Sequence, residues 1–133
     1  MNDRLGHLAG DDVLKEATRR MTATIRPYDA VGRYGGEEFL VVMANADSHA
    51  AAERADQIRK AIAGQPFLRD KGAVAVTCSL GVCSTHAGIL VTPEALLEEA
   101  DAALYLAKRN GRNRVEVGEP QFVPSDAPDV VLV

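Results

Sequence analysis

Apolar residues recur at helical spacing over residues 11–25, at Leu14, Ala17, Met21 and Ile25, and Pro27 forbids continuation, so the first element is predicted to be a helix. Residues 29–43, DAVGRYGGEEFLVVM, read as two strands around Gly35-Gly36, because adjacent glycines supply the positive φ angles that a tight hairpin turn demands. The second arm, Phe39 to Met43, is apolar on both faces and is expected to be an interior strand. A second helix is predicted from an N-cap at Ser48 along the stripe Ala51, Ala55, Ile58 and Ile62, ending at Gly64 and Pro66.

Residues 73–83 then alternate as one strand, with Val74, Val76, Cys78, Leu80 and Val82 on one face. Ala75, Thr77, Ser79 and Gly81 lie opposite, small enough for a helix to pack closely. Thr92-Pro93 opens a third helix as cap and first-turn proline, with Leu96, Leu97, Ala100, Leu104 and Ala107 inward and Gly111 past its end. A short strand is expected around Arg114 to Val117. The order helix, strand, strand, helix, strand, helix, strand is that of an α+β or α/β domain with an incomplete start. A βαββαβ arrangement needs one more strand before residue 11. Residues 1–117 read as the domain and 118–133, rich in proline and acids, as a linker-like tail ending in Val130-Val131-Leu132-Val133.

The chain has 133 residues, 47% of them hydrophobic and 26% charged, which suits one domain with its own core. No run of about 18 apolar residues and no basic-then-apolar leader is present, so neither a membrane span nor a secretory signal is expected, and a cytoplasmic location is. Cys78 and Cys83 fit neither a redox pair nor a metal knuckle and read as reduced and buried. The net charge of -4 argues against binding a nucleic-acid polymer. Residues 1–118 nevertheless hold 16 acids against 15 bases, and Lys108, Arg109, Arg112 and Arg114 form one basic cluster.

Glu37 and Glu38 place two carboxylates at a glycine turn, where backbone and ligand can approach closely. Such oxygen donors suit magnesium accompanied by substrate phosphates. Taken alone, adjacent acids at a turn more often serve solvation.

The segment Arg33 to Phe39, RYGGEEF, resembles the signature of the GGDEF family, the diguanylate cyclases, in its GGEEF form. Four further motifs follow the same order. Asn2-Asp3-Arg4-Leu5-Gly6-His7 is similar to an NDxxGH loop and precedes Gly10-Asp11. Cys78 to Val82 stands where the family has an SxGV strand, and residues 100–113 are similar to ADxALYxAKxxGRN. The resemblance implies a ferredoxin-like βαββαβ sheet of the nucleotide-cyclase type with flanking helices. It also implies condensation of two GTP into cyclic di-GMP by a homodimer, with Mg2+ or Mn2+.

On this resemblance Glu37 is the metal ligand and Glu38 the neighbouring active-site acid, within a signature loop that includes Gly35, Gly36 and Phe39. Asn2 and Asp11 match the pair that reads the guanine edge, and Lys108 and Arg112 match contacts to the triphosphate. His7 reads as a residue that holds its loop. Arg26-Pro27-Tyr28-Asp29 matches the RxxD product-inhibition site through Arg26 and Asp29, with Gln57 standing where many members carry a further arginine. Each residue has a structural alternative. Asp11 and the basic residues near Lys108 also suit the two ends of helix dipoles, and RxxD is a common way to end a helix.

Family members carry a DxxTGLxNR segment and a strand with a metal-binding aspartate upstream of the loop matched at Asn2. The expectation is therefore a domain truncated at its N-terminus, lacking an interior first strand, with weak or no activity as a fragment. Residues 129–133 are given two fates: a frayed tail, the commoner one, or a substitute strand supplied to their own protomer or a neighbour's. The alternative function from another class is a non-catalytic receptor for cyclic di-GMP, or a dimerisation module.

Overall fold

A computed structural model describes residues 10–35, 38–43, 47–69, 72–86, 92–118, 121–122 and 129–133. The elements run α1 (Asp11–Thr24), β1 (Ala30–Arg33), β2 (Phe39–Met43), α2 (Ser48–Ala63), β3 (Phe67–Arg69), β4 (Gly72–Val74), β5 (Leu80–Cys83), β6 (Thr85–His86), α3 (Pro93–Arg109), β7 (Val115–Val117), β8 (Gln121–Phe122) and β9 (Asp129–Leu132). The fold is α+β. Its main sheet is mixed and five-stranded, in the order β1-β2-β9-β5-β7, with small two-stranded pairs β3-β4 and β6-β8 beside it. Among the described residues no helix is long and apolar enough to cross a membrane.

Side chains on one sheet face, including Phe39, Val41, Met43, Leu80, Val82 and Val131, form one core with Val13, Ala17 and Met21 of α1 and Ala51, Ala55, Ile58 and Ile62 of α2. The opposite face buries Leu96, Ala100 and Leu104 of α3 against Cys83 and Leu132. Gly81 is what lets α3 descend that far: a Cβ there would collide with the backbone of Ala100 and Leu104. The close approach expected opposite the Val76–Val82 face is thus found.

Three local expectations change. The N-cap of α2 is Asp47, whose carboxylate accepts from the Ala50 N–H at 2.7 Å, in place of Ser48. A carboxylate suits that position as well as a hydroxyl and gains from the helix dipole. The strand predicted over 73–83 is shorter. Gly72, at φ +123, folds β4 back onto β3, so the ladder of the main sheet begins only at Leu80. Val74 is consequently exposed, while Val76 and Cys78 remain buried outside any strand. The inward stripe of α1 runs through Val13, Ala17 and Met21, leaving Leu14 half-buried.

β9 is the largest departure from a frayed tail. It lies inside the sheet, antiparallel to β2 with Val41 opposite Val131 and antiparallel to β5 with Val82 opposite Val131. Val131, Leu132 and Val133 are fully buried. The strand comes from the same chain and satisfies ladder groups of two neighbours at once, which only an interior position allows.

Candidate nucleotide site

One residue row crosses all five strands: Gly32, Leu40, Leu132, Gly81 and Glu116. One step along, toward the glycine turn, stand Arg33, Phe39, Val133, Leu80 and Val115. The turn of the signature loop and the loop that follows α3 therefore leave the sheet at the same end. β2 and β7 are three strand spacings apart, about 14 Å.

At the turn, the backbone carbonyl of Glu38 accepts from the N–H groups of Tyr34 (2.8 Å) and Gly35 (3.3 Å), which closes the hairpin predicted at this position, although Gly35 does not take the positive φ expected of it. Glu38 is half-buried and Gly35 exposed. Gly36 and Glu37 lie outside the described residues, as do Asn2 and His7. Among the described residues no group of three or more His, Cys, Asp or Glu side chains gathers to hold a metal ion.

A cavity of about 530 Å³ opens between α1 and the β1-β2 hairpin, lined by Asp11, Leu14, Lys15, Thr18, Val31, Gly32, Arg33 and Phe39. Its size is that of a small-molecule cleft. Asp11, Leu14, Lys15 and Thr18 share one face of α1 because they are spaced by three and four residues. Gly10 caps that helix with no side-chain bond, so the acids of its first turn face the positive end of the dipole. Two motifs separated by some twenty residues, the Gly10-Asp11 step and RYGGEEF, thereby meet around one cavity. Leu14, Lys15, Thr18 and Val31 were missed from the sequence. The signal was the helical spacing from Asp11, which places Leu14 and Lys15 beside it.

Lys108 and Arg112 lie at the end of α3 and just beyond it, both half-buried. They do not line the cavity, but Arg112 stands at the same end of the sheet as the glycine turn.

The Arg26–Asp29 motif forms a closed unit after α1. Arg26 donates from Nε to Asp29 Oδ2 and from NH2 to Oδ1, both at 3.1 Å, and its backbone N–H also donates to Oδ2. The Asp29 side chain is wholly buried and that of Arg26 is 24% exposed. The guanidinium lies 4.7 Å from the ring centroid of Tyr28, itself largely exposed. Hydrogen bonding to Asp29 raises the already high pKa of Arg26. Gln57 is exposed on α2, and one turn earlier Arg54 donates to the carbonyl of Thr24 at 3.3 Å, beside the same bend.

A profile of the family described as diguanylate cyclase, GGDEF domain, matches residues 1–114. The chain is 40% identical to Diguanylate cyclase A of Treponema denticola over 119 residues, covering 90% of this chain and 32% of that protein. It is 44% identical to Response regulator PleD of Caulobacter vibrioides over 117 residues, covering 86% of this chain and 26% of that one. The chain thus spans about a third or less of these relatives. Among solved structures, the GGDEF domain of DgcB from Caulobacter crescentus, in complex with c-di-GMP, superposes with a TM-score of 0.76 at 32% identity, covering 89% of this chain and 68% of that one. A family profile spanning most of the chain, relatives at this identity and a shared fold lead to one conclusion: the chain belongs to the GGDEF family of diguanylate cyclase domains.

Proposed function

We propose that this domain binds GTP with its guanine in the cleft between α1 and β1-β2 and, paired with a second copy, joins two GTP into cyclic di-GMP. The observation that carries the proposal is the cavity itself, which unites Asp11 with Arg33 and Phe39 of the signature. Leu14 and Val31, both half-buried, offer apolar surface to a base, and Asp11 lines the same cavity as a carboxylate acceptor. Guanine presents a ring N–H next to an exocyclic amine, and a carboxylate accepts from both; adenine lacks that pair. Asn2 is the second member of this reader. Lys108 and Arg112 supply positive charge for the triphosphate, Arg112 through a planar fork that matches phosphate oxygens.

In the reaction the ribose 3′-oxygen of one GTP forms a bond to the α-phosphorus of the other while the bond to the β-phosphate bridge breaks and pyrophosphate leaves; the hydroxyl proton passes to base. A second, reciprocal step closes the ring. The domain's part is to hold the two nucleotides face to face, which converts an encounter in solution into a positioned reaction. Magnesium or manganese, when bound, supplies positive charge to the phosphates. Glu37 is its proposed ligand and Glu38 the adjoining acid; oxygen donors of this kind suit either ion.

A second reading, a receptor for cyclic di-GMP, rests on the Arg26–Asp29 unit. Its guanidinium is held ready by two carboxylate bonds and the Tyr28 ring, leaving a partly exposed cation for a guanine edge or a phosphate. The relative solved with c-di-GMP supports such binding here. Product inhibition of the enzyme and a pure receptor role share this site. Incubation with GTP and magnesium, followed by chromatography, separates them. Cyclic di-GMP formed by the wild type and lost in Glu37→Ala supports the enzyme; binding without turnover supports the receptor.

A further inference from the structure

Three consecutive residues after α3 take positive φ angles: Gly111 (122°), Arg112 (63°) and Asn113 (49°). Glycine does so freely and asparagine with little penalty, but arginine enters this region only where its surroundings hold it. The first of the three is explained by the helix end. The Asn110 N–H donates to Leu106 O and the Arg112 N–H to Ala107 O at 2.9 Å, a six-residue closure that needs a left-handed residue at Gly111. That closure does not account for Arg112 and Asn113.

What holds them comes from elsewhere in the fold. The Asn113 N–H donates to Ser79 Oγ at 3.2 Å, and Ser79 is fully buried. Asn113 Oδ1 accepts from Arg59 NH1 at 3.1 Å, a bond that crosses 54 residues of sequence. Arg59 is itself fixed by Asp56, at 2.7 Å, with its side chain 22% exposed. On the far side, Arg114 Nε donates to the Arg112 carbonyl at 3.3 Å and the Leu80 N–H to Arg114 O at 3.0 Å. Arg112 is thus bracketed by a helix end before it and an anchored asparagine after it, and its own NH1 donates to the Lys108 carbonyl at 3.4 Å.

We propose that Arg59 is a positioning residue for phosphate binding, holding Arg112 in its left-handed conformation through Asn113 and so keeping its guanidinium beside Lys108 at the end of α3, where the two cations receive the nucleotide triphosphate. The inference rests on the assignment of Arg112 to the GTP phosphates made above. The direction of a side chain follows from the φ and ψ of its own residue, so release of Asn113 lets Arg112 relax to a commoner conformation and swings the guanidinium away. Arg59 sits on α2, which contributes nothing to the cavity lining, and its effect is confined to the phosphate end of the ligand. The same network gives the buried serine of the SxGV strand and the asparagine of the GRN turn a shared task.

Calorimetric titration of the full chain with GTP and, separately, with guanosine tests this. Arg59→Ala is expected to weaken GTP binding roughly three- to tenfold, the net worth of one ordinary hydrogen bond, and to leave guanosine affinity unchanged. Arg59→Lys, which keeps the charge and loses the fork, is expected to fall between. Asn113→Gly removes the acceptor, and adding Arg59→Ala to it is expected to cost nothing further. Unchanged GTP affinity in Arg59→Ala, or equal losses for GTP and guanosine, overturns the positioning role. A wild-type chain that binds guanosine but not GTP also overturns it, whereas one that binds neither overturns the functional proposal on which it rests.

Discussion

Phe39 and Val133 exchange two backbone hydrogen bonds, N–H to O at 3.2 Å in one direction and 3.0 Å in the other. Phe39 also lines the cavity between α1 and the β1-β2 hairpin, so the strand ending at Val133 supports part of its wall. Removal of residues 129–133 would leave β2 and β5 with facing unpaired ladders and uncover the buried Val41, Leu80 and Val82. The shortened chain is expected to lose cooperative thermal unfolding and to aggregate. Val131→Asp, which places a charge where exposure is nil, is expected to do the same without shortening the chain. A melting temperature unchanged in both variants would show that β9 is dispensable.

Arg20 ties α1 to the end of α2. Its guanidinium donates to the carbonyls of Ala61, Ile62, Gln65 and Pro66, pairs with Glu16 at 2.8 Å and lies 4.1 Å from the Phe67 ring centroid, with its side chain only 10% exposed. These carbonyls belong to or follow the last turn of α2, where no intrahelical partner exists. Arg20→Ala is expected to destabilise the fold by about 2–4 kcal/mol, because it orphans several acceptors at once. Chemical denaturation measures it, and Arg20→Lys is expected to recover less than half.

The same cluster sets an acid limit. Hydrogen bonds from Arg19 and then Arg20 hold the Glu16 carboxyl down from its ordinary 4.5 to about 2. A carboxylate with a depressed pKa contributes stability that is fully present above its unfolded value and is lost as the pH falls through the folded one. Stability is therefore expected to decline between pH 4.5 and pH 2, with a shallower slope in Glu16→Gln. Identical slopes across that window would contradict the assignment.

Cyclic di-GMP binding is expected to depend on Arg26. Loss of a forked, charge-assisted donor costs about 1.5–3 kcal/mol, a tenfold or greater fall in affinity. Since Asp29 is buried against that guanidinium, melting of Arg26→Ala is measured beside the calorimetry. A folded Arg26→Ala that binds as tightly as wild type would remove the RxxD site from the account.

What could be read in the sequence was local. Thr92-Pro93 capped a helix as expected, the Thr92 hydroxyl accepting from the Ala95 N–H. The β1-β2 hairpin was legible, although Gly35 does not take the positive φ expected of it, and Gly81 marked the close helix approach, because each depends on the residue itself or its immediate neighbours. Asp11 could be singled out through a motif match, yet the cleft that gives it a partner surface also depends on Val31 and Phe39, brought across by strand pairing. Arg20 was illegible for the same reason: its acceptors lie 41 to 46 residues away. The tail offered strand propensity without a register, since only β2 and β5 supply the ladders that place it.

Guanine recognition in the α1-β1 cleft is tested by titration of GTP against ATP, in magnesium, into the wild-type chain and Asp11→Ala. GTP is expected to bind wild type at least tenfold more tightly than ATP, the loss of an acceptor matched to two donors being worth roughly 1.5–3 kcal/mol, and the two affinities are expected to be nearly equal in Asp11→Ala. Equal binding of GTP and ATP by wild type, or selectivity that survives in Asp11→Ala, would contradict it.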